Sequence, residues 1–387
     1  MSSFDRIKTL VLIIVIAVAG TGVYQIWGHR AYQVDIVKGP GVTGMARLSD
    51  YHPALKGTAG DTNVFILDGK EPGATMLVFG GTHSDEFAAT LTALVMVENA
   101  VVEKGRLILI PMVNNSGTRT TRAGEGQPLF YSLKTDWGEK TFRLGSRATS
   151  QADQWPDPEV YVHYPSKQML ADVESRNINR SWPGKEDGTL TQQIVFAVTE
   201  VMRKEGVDIA VDLHQGSTMF PVNNVIIAAE SGLKIGAYAS AVLRRDEGIT
   251  RPVERAPMLY RGLFNREIDE FVEGVEPFLM EVPIPFCDLP TGPKTLDLML
   301  TGKDEFLLKL AGMGRLYARY DENGWPVENT VGQHCSAIKS LMIAWSTFNA
   351  DKGIIVNGIP SFKEMAQYGV GHYFNNPSEN MGNIEKN

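Results

Sequence analysis

Two polar segments follow apolar runs and contain residue types that bind metal ions. The first, GGTHSDE (80–86), comes directly after an apolar run that ends at Phe79. His83 and Glu86 are three residues apart, so one helical turn directs both side chains the same way. Imidazole and carboxylate are ligands of Zn²⁺, and a catalytic zinc ion has three protein ligands and one open position. The pair therefore predicts part of a metal site.

A third ligand is expected at the end of another strand. The run VDIAVDLH (207–214) has the apolar pattern of a buried strand and ends at His214. Asp212 lies two residues earlier, on the same side of the strand, where its carboxylate can orient a metal-binding imidazole. Taken alone, an H-x-x-E segment more often only begins a helix, but a second strand end with D-L-H favours a metal site. The set His83, Glu86 and His214 suits zinc, and also cobalt or manganese.

Two further segments suit a substrate carboxylate and a proton transfer. In RNINRSWPG (176–184), arginine can bind a carboxylate through two parallel N–H groups, which makes Arg176, Asn179 and Arg180 candidates. In PFLMEVP (277–283), Glu281 stands at the end of an apolar run. Burial raises the pKa of a carboxyl group, which suits proton exchange with a water molecule beside a metal. Taken alone, the first segment also fits a surface turn, and Glu281 also fits a salt bridge.

In this order, the four segments resemble the zinc-dependent carboxypeptidase-like superfamily, and within it the succinylglutamate desuccinylase/aspartoacylase family. That family has a G-x-H-G-x-E-like segment, an N-R-x-x-P-G-like segment, a D-L-H segment and a late strand glutamate. The resemblance covers roughly residues 63–320. The motifs are short, but their order and their positions at strand ends make them jointly specific.

The resemblance implies one zinc ion per chain, with His83, Glu86 and His214 as ligands. It implies that Glu281 activates the water that attacks an amide carbonyl, and that the pair at 179–180 binds a substrate carboxylate. The reaction would be amide hydrolysis, with an N-acyl amino acid or a short peptide as the small-molecule substrate. The N-acyl amino acid deacylase is the leading interpretation. A metallocarboxypeptidase acting on short or cell-wall peptides and a non-catalytic ligand-binding relative are the alternatives.

The chain departs from the family pattern in two places. Ser84 follows His83, where the family usually has glycine. Family members often have a second arginine before the N-R pair, where this chain has Asp172. Two interpretations are open: another arginine (Arg176, Arg119 or Arg122) takes its place, or zinc alone polarises the carbonyl.

An uncharged apolar run from Thr9 to Gly28 predicts a membrane-spanning helix. At about 1.5 Å per residue, such a helix spans roughly 30 Å, the thickness of a hydrocarbon core. Arg6 and Lys8 precede it, which favours an N-terminus in the cytoplasm. The alternative is a signal peptide cleaved after Ala19, which would release a secreted protein. In both cases we expect the catalytic domain outside the cytoplasm, in the periplasm if the protein is bacterial.

Beyond the apolar run, strand and helix patterns alternate, which predicts an α/β fold with a mixed, mostly parallel sheet and helices on both faces. We predict a connector at 29–60, a hydrolase domain at 61–325 and an irregular C-terminal extension at 326–387. Within the hydrolase domain, 119–176 is predicted to be a long insertion or lid. Predicted strands lie at 63–67, 75–80, 107–113, 207–213, 225–229 and 278–282, and predicted helices at 87–103, 191–205, 233–247 and 305–320.

Composition and charge exclude several other classes of protein. Lys and Arg number 37 against 45 Asp and Glu, and no basic stripe is present, which argues against nucleic-acid binding. Two cysteines, Cys287 and Cys335, are too few for a disulfide scaffold, although one bridge between them is open. The sequence has no G-x-S-x-G, which argues against a serine hydrolase, and no P-loop. The oligomeric state is open.

Overall fold

A computed structural model describes residues 3–121 and 126–387 of the chain. Its first element is helix α1 (Ser3–Ala31). This helix is apolar and long enough to cross a membrane, and its most apolar stretch is not buried against the rest of the protein. The prediction of one continuous helix over residues 9–28 is confirmed. Only the last turn is attached: the Nε2–H of His29 donates to the Leu144 carbonyl oxygen at 3.0 Å, and Arg30 forms an ion pair with Asp153 at 2.7 Å.

Strands and helices are interspersed along the described part of the chain. The strands are β1 (Asp35–Val37), β2 (Gly44–Arg47), β3 (Asn63–Asp68), β4 (Glu71–Phe79), β5 (Val101–Ile110), β6 (Phe130–Thr135), β7 (Gly138–Arg143), β8 (Tyr161–Val162), β9 (Met169–Leu170), β10 (Ile209–Gly216), β11 (Val225–Ala228), β12 (Val253–Arg255), β13 (Glu276–Pro283), β14 (Ile355–Asn357) and β15 (Ile384–Lys386). The helices after α1 are α2 (Leu48–Tyr51), α3 (Phe87–Asn99), α4 (Asn115–Thr118), α5 (Leu190–Glu205), α6 (Leu233–Glu247), α7 (Phe264–Phe271), α8 (Leu296–Thr301), α9 (Glu305–Gly312), α10 (Val327–Phe348) and α11 (Phe362–Tyr368).

One large sheet organises the domain. In the described part of the chain it has nine strands, in the order β12-β11-β13-β10-β4-β5-β3-β2, with β14 also paired to β5. The central strands β13, β10, β4 and β5 are parallel to one another. The pairs β11/β13, β3/β5, β2/β3 and β14/β5 are antiparallel. The predicted mixed sheet is confirmed, with parallel pairs at its centre and one further parallel pair, β11/β12, at its edge.

Alternate residues of the central strands pack against helices on opposite faces of the sheet. Met76 and Val78 belong to a hydrophobic cluster with α3, α6 and α10. Leu77 and Phe79 belong to a second cluster with α5 and α7. Helices therefore cover both faces, as predicted, and the strands read as continuous apolar runs because both of their faces are buried.

The C-terminal part differs from the sequence prediction. Helix α10 is mostly buried, strand β14 pairs with β5, and β15 pairs with β1. Residues 326–387 are therefore part of the domain, and the prediction of an irregular extension is wrong. Helix α10 buries polar side chains such as Gln333 and His334 among apolar ones, which hides its helical period.

Two other segments are more ordered than predicted. Residues 29–60 contain β1 and β2, and β2 is an edge strand of the main sheet, so this segment is more than a connector. The insertion at 119–176 contains two hairpins, β6/β7 and β8/β9. Its role as a lid remains a prediction. Cys287 and Cys335 are both free and do not pair.

Candidate metal centre and active-site cavity

The candidate metal ligands lie at the carboxyl ends of neighbouring parallel strands. Strand β4 ends at Phe79, and β10 and β13 run beside it in the same direction. The register places His214 of β10 opposite Glu281 of β13. Because the carboxyl ends of parallel strands meet at one edge of a sheet, the segments that follow them share one site.

A glycine turn directs the chain after β4 back toward helix α3. Gly81 has a φ of 73°, which favours glycine, and a Cβ at Gly80 would lie 2.5 Å from the Ala89 carbonyl oxygen. His83 and Glu86 stand in the turn before α3, which begins at Phe87. The spacing of three residues does direct both side chains the same way, through this turn and not through the helix itself.

Three buried side chains converge at this edge. Glu86 Oε1 lies 2.7 Å from His83 Nδ1, and Glu86 Oε2 lies 3.0 Å from His214 Nδ1. The imidazole rings have centroids 4.8 Å apart. One potential ligand atom from each of the three residues lies within 4.8 Å of the others. The structure thus brings together the three residues that the sequence predicted as ligands.

The other nitrogen of each imidazole has its own hydrogen-bond acceptor. The Nε2–H of His214 donates to Asp212 Oδ2 at 2.8 Å, and the Nε2–H of His83 donates to Asn177 Oδ1 at 3.0 Å. The Thr82 hydroxyl in turn donates to Asp212 Oδ1 at 2.8 Å. With Nε2 protonated on both rings, both Nδ1 atoms face the Glu86 carboxylate. This donor set, two imidazole nitrogens and one carboxylate with their outer partners in place, fits a zinc ion.

The electrostatics of the cluster favour a positive charge at its centre. Burial opposes ionisation of Glu86, but His83 and His214 outweigh it and hold the pKa of this carboxyl well below its usual range. Burial also opposes protonation of His214, yet Asp212 and Glu86 raise its pKa well above the usual value. Burial, together with Arg147, lowers the pKa of His83 to about 4. A proton on His214 partly offsets the charge of the two carboxylates, and a divalent cation at the cluster would offset it in full.

Glu281 lies in the same cavity. Its Oε2 is buried and has no hydrogen-bond partner among the described residues. Burial raises the pKa of Glu281 to about 7, with His214 acting in the opposite direction and Glu86 adding to the increase. A carboxyl group with this pKa can accept or release a proton near neutral pH.

Asn179 and Arg180 also line the cavity. The Arg180 guanidinium donates to the Asn179 carbonyl oxygen at 2.7 Å and lies 5.2 Å from the ring centre of Tyr260. Asn179 Oδ1 accepts from the Phe264 N–H at 3.0 Å. The segment is anchored by Trp182, which is fully buried. Asn179 and Arg180 therefore lie at the cavity as predicted, although the Asn179 Oδ1 already accepts a hydrogen bond from the Phe264 N–H.

Arg176 does not belong to this cavity, contrary to the prediction that it binds substrate there. Its Nε lies 3.1 Å from Asp157 Oδ2, and its Nη1 donates to the Thr149 carbonyl oxygen at 3.1 Å. It lines a second cavity, as does Arg119. Two residues separate Arg176 from Asn179, and the turn between them directs the two side chains to different sides. Arg122 lies outside the described residues.

Arg147 and Asn265 are polar residues of the cavity that the sequence did not predict. Arg147 Nη1 lies 3.3 Å from Glu86 Oε1 and 3.2 Å from His83 Nδ1. Asn265 lines the same cavity, is buried, and has no hydrogen-bond partner for either amide atom among the described residues. Arg147 belongs to the insertion and Asn265 to the first turn of α7, and neither segment carries a motif that marks it.

The cavity has a volume of about 570 Å³. It combines the metal-ligand cluster, one carboxyl group with a pKa near neutrality and two arginines. Its outer part is apolar, with Phe220, Val222 and Leu263 in the wall. A pocket with a few convergent polar groups in an apolar wall is typical of a small-molecule site.

No protein-family model and no curated protein sequence matches the chain. It is similar to the solved structure of a succinylglutamate desuccinylase/aspartoacylase from Rhodobacter sphaeroides, with 18% identity and a TM-score of 0.34 over 57% of this chain and 51% of that chain. It is also similar to an aspartoacylase family protein from Mesorhizobium loti, with 16% identity and a TM-score of 0.34 over 57% of this chain and 56% of that chain. A third similar structure is a metallo-carboxypeptidase from Burkholderia cenocepacia, with 11% identity and a TM-score of 0.45 over 84% of this chain and 68% of that chain. The chain spans about half the length of the first two structures.

Proposed function

We propose that this chain is a zinc-dependent hydrolase of amide bonds, of the N-acyl amino acid deacylase type. The observation that carries the proposal is the convergence of His83, Glu86 and His214 beside Glu281. All four lie at one sheet edge and line one cavity. The order of the motifs, which resembles the succinylglutamate desuccinylase/aspartoacylase family, supports the same function.

The residues of the cavity divide the chemistry among them. A zinc ion bound by the cluster would polarise the amide carbonyl and lower the pKa of a water molecule. Glu281 accepts the proton of the attacking water and passes it to the nitrogen of the leaving amine as the C–N bond breaks. Arg147, beside the cluster, can donate to the carbonyl oxygen as negative charge develops on it. Arg180 and Asn265 can bind a carboxylate of the substrate.

The buried Oε2 of Glu281, which has no partner among the described residues, favours an enzyme over a non-catalytic binding protein. Burying a carboxyl without a partner costs free energy, and a protein that only captures a ligand gains nothing from it. A proton acceptor beside a metal ion is useful only if a bond is broken there. A metallocarboxypeptidase would use the same residues, so the choice between the two enzymes depends on substrate.

The position of the chain relative to a membrane is part of the proposal. Helix α1 is exposed along its apolar length, which suits a membrane anchor or a signal segment. We infer that it is an anchor and that the catalytic domain lies outside the cytoplasm. Fractionation of cells that express the full chain, with N-terminal sequencing of the product, tests this. Recovery of uncleaved chain in the soluble fraction without detergent would contradict it.

The enzymatic proposal is tested by metal content together with an amidase screen. The full chain, purified in detergent, should contain about one zinc ion per chain, as three protein ligands and an open position require. It should hydrolyse N-acyl amino acids, a chelator should abolish the activity, and added zinc should restore it. Preference for dipeptides over acyl amino acids would favour the carboxypeptidase. Hydrolysis that persists after complete removal of metal would refute the zinc enzyme.

A further inference from the structure

A second cavity lies between the end of helix α1 and the insertion at 119–176. Its volume is about 900 Å³, larger than the cavity of about 570 Å³ that contains the metal-ligand cluster. Apolar side chains from both sides line it: Ile26 from α1, and Leu129 and Val173 from the insertion. The helix that is long enough to cross a membrane therefore forms one wall of this cavity.

The two cavities meet at the metal-ligand cluster. Arg147 lines both of them. Asn177 lines the second cavity, and its Oδ1 accepts the Nε2–H of His83 at 3.0 Å. Asn177 Nδ2 donates to Glu174 Oε2 at 2.6 Å, and Glu174 also lines the second cavity. Asn177 thus separates the second cavity from His83, whereas at Arg147 the two cavities adjoin.

The charges of the second cavity favour an anionic molecule. Two of its arginines are paired, Arg30 with Asp153 at 2.7 Å and Arg176 with Asp157 at 3.1 Å. Arg119 also lines the cavity, and its Nε has no hydrogen-bond partner among the described residues. Among the described residues, four arginines thus line the second cavity (Arg30, Arg119, Arg147 and Arg176), and Arg119 has an unused hydrogen-bond donor.

Two exposed tryptophans lie close in sequence to residues at the second cavity. Trp27, near the end of α1, is 67% exposed, and Trp155, two residues after the partner of Arg30, is 75% exposed. Val162 and Met169 of the β8/β9 hairpin are also exposed. Exposed tryptophans at the end of a membrane-spanning helix are typical of the membrane–water interface. Trp27 therefore suits a position of the α1 wall of the second cavity near the membrane surface.

We propose that the substrate is a membrane-resident anionic amphiphile, an N-acyl amino acid with a long acyl chain. The acyl chain lies in the second cavity against Ile26, Leu129 and Val173. The amide passes Arg147 to the metal-ligand cluster, and the amino-acid carboxylate binds at Arg180. This inference rests on the proposed function and on the membrane position of α1, and it specifies the substrate class of the same site.

The first test is a series of acyl chains on the full chain in lipid nanodiscs. The N-acetyl, N-octanoyl, N-lauroyl and N-palmitoyl forms of glutamate, phenylalanine and glycine are the probes. Burial of each methylene contributes enough transfer free energy for about a fourfold change, so kcat/KM should increase by at least about 100-fold from acetyl to lauroyl. Equal or lower kcat/KM for the lauroyl forms would overturn the inference and leave the proposed function intact. No hydrolysis of any form by zinc-loaded protein would overturn both.

The second test compares two exposed valines of the insertion. Val173 lines the second cavity, is 58% exposed, and tolerates a polar substitution without loss of core packing. Val173→Asp should lower kcat/KM for the lauroyl substrate by about tenfold, because a carboxylate replaces apolar contact, and leave the acetyl substrate unchanged. Val160, 50% exposed in the same insertion and outside the cavity lining, is the matched control, and Val160→Asp should change neither.

Zinc content and Tm report the folding of both variants. An equal loss of activity of Val173→Asp on acetyl and lauroyl substrates would contradict an acyl-chain site. Unchanged activity of Val173→Asp on both substrates would contradict it as well.

Discussion

The cavity that contains the metal-ligand cluster is the inner cavity, and the second cavity, between α1 and the insertion, is the outer one. The two share a wall but are built from different kinds of structure. The inner cavity takes its ligands from the ends of β4 and β10 and its proton acceptor from β13, strands that are buried on both faces. The outer cavity takes its lining from the last turns of α1 and from the insertion, where apolar side chains are exposed. Chemistry that depends on distances of a few tenths of an ångström is placed on rigid strand ends, while binding of a flexible chain needs only shape and polarity.

The largest expected effect tests the inner cavity directly. His214→Ala removes one of three predicted ligands and leaves Asp212 without the imidazole it faces. Two remaining ligands bind zinc weakly, so both metal content and activity should fall to background. Metal analysis after dialysis and an amidase assay measure this. A His214→Ala protein that retains zinc in full would show that the cluster is not the metal site.

A smaller loss is expected for the proton acceptor. Glu281→Gln keeps the size of the side chain but removes the proton acceptor, so turnover should fall by about 10²- to 10⁴-fold. Zinc content should remain near one per chain, because Glu281 is not a predicted ligand. Near-normal turnover with zinc in place would refute the assigned role. Asp85, which lines the same cavity next to Glu86, would then be the next carboxylate to test.

The pH dependence gives an independent measure of Glu281. Burial raises its pKa to about 7, and the base must be deprotonated to act. Activity should therefore increase as pH increases through this pKa and be lost below it. A bound cation nearby favours the carboxylate and moves the midpoint below 7. The decrease of kcat/KM toward acidic pH should therefore have its midpoint below pH 7. The residual activity of Glu281→Gln should lack this decrease.

The sequence predicted the inner cavity better than the outer one for a physical reason. His83, Glu86, His214 and Glu281 follow apolar runs, and a run of strand length predicts where its carboxyl end lies. Arg147 follows no such run. Its position depends on how the insertion folds back over the sheet, which local spacing does not determine.

Long-range pairing explains the other differences between sequence and structure. Strand β15 is only three residues long and is ordered by its pairing with β1, at the far end of the sequence. Arg176 is three positions before Asn179 in the same predicted substrate-binding segment, yet its ion pair with Asp157 directs it to the outer cavity. In each case the partner that fixes the position of the residue is far away in the sequence or belongs to no recognisable motif.

Two arginines of the insertion can distinguish the roles of the two cavities. Arg147→Ala removes a donor beside His83 and Glu86, and loss of a charge-assisted hydrogen bond to the substrate should lower kcat/KM by about 10- to 100-fold. Zinc content should not fall, because a cation next to the cluster opposes metal binding. Arg176→Ala is the control and should keep kcat/KM for an acetyl substrate within about twofold, since its partner is Asp157. Equal losses in both variants would show that the insertion acts as one unit.

The smallest effects are expected from the two acceptors behind the imidazoles. Asp212 accepts from His214, and Asn177 accepts from His83 in the wall between the cavities. Outer partners of this kind change metal affinity by about 10- to 100-fold. Asp212→Asn should lower the zinc affinity by about 100-fold, since a carboxylate makes the imidazole it contacts more basic than a neutral amide does. Asn177→Ala should lower the zinc affinity by about tenfold.

Competition of each variant with a zinc chelator measures the two affinities. If the wall is only a partition, Asn177→Ala should weaken zinc binding and leave the preference for long acyl chains unchanged. A change in chain-length preference without a change in zinc affinity would mean that Asn177 serves the outer cavity, and that the boundary between metal site and acyl site lies on the other side of this residue.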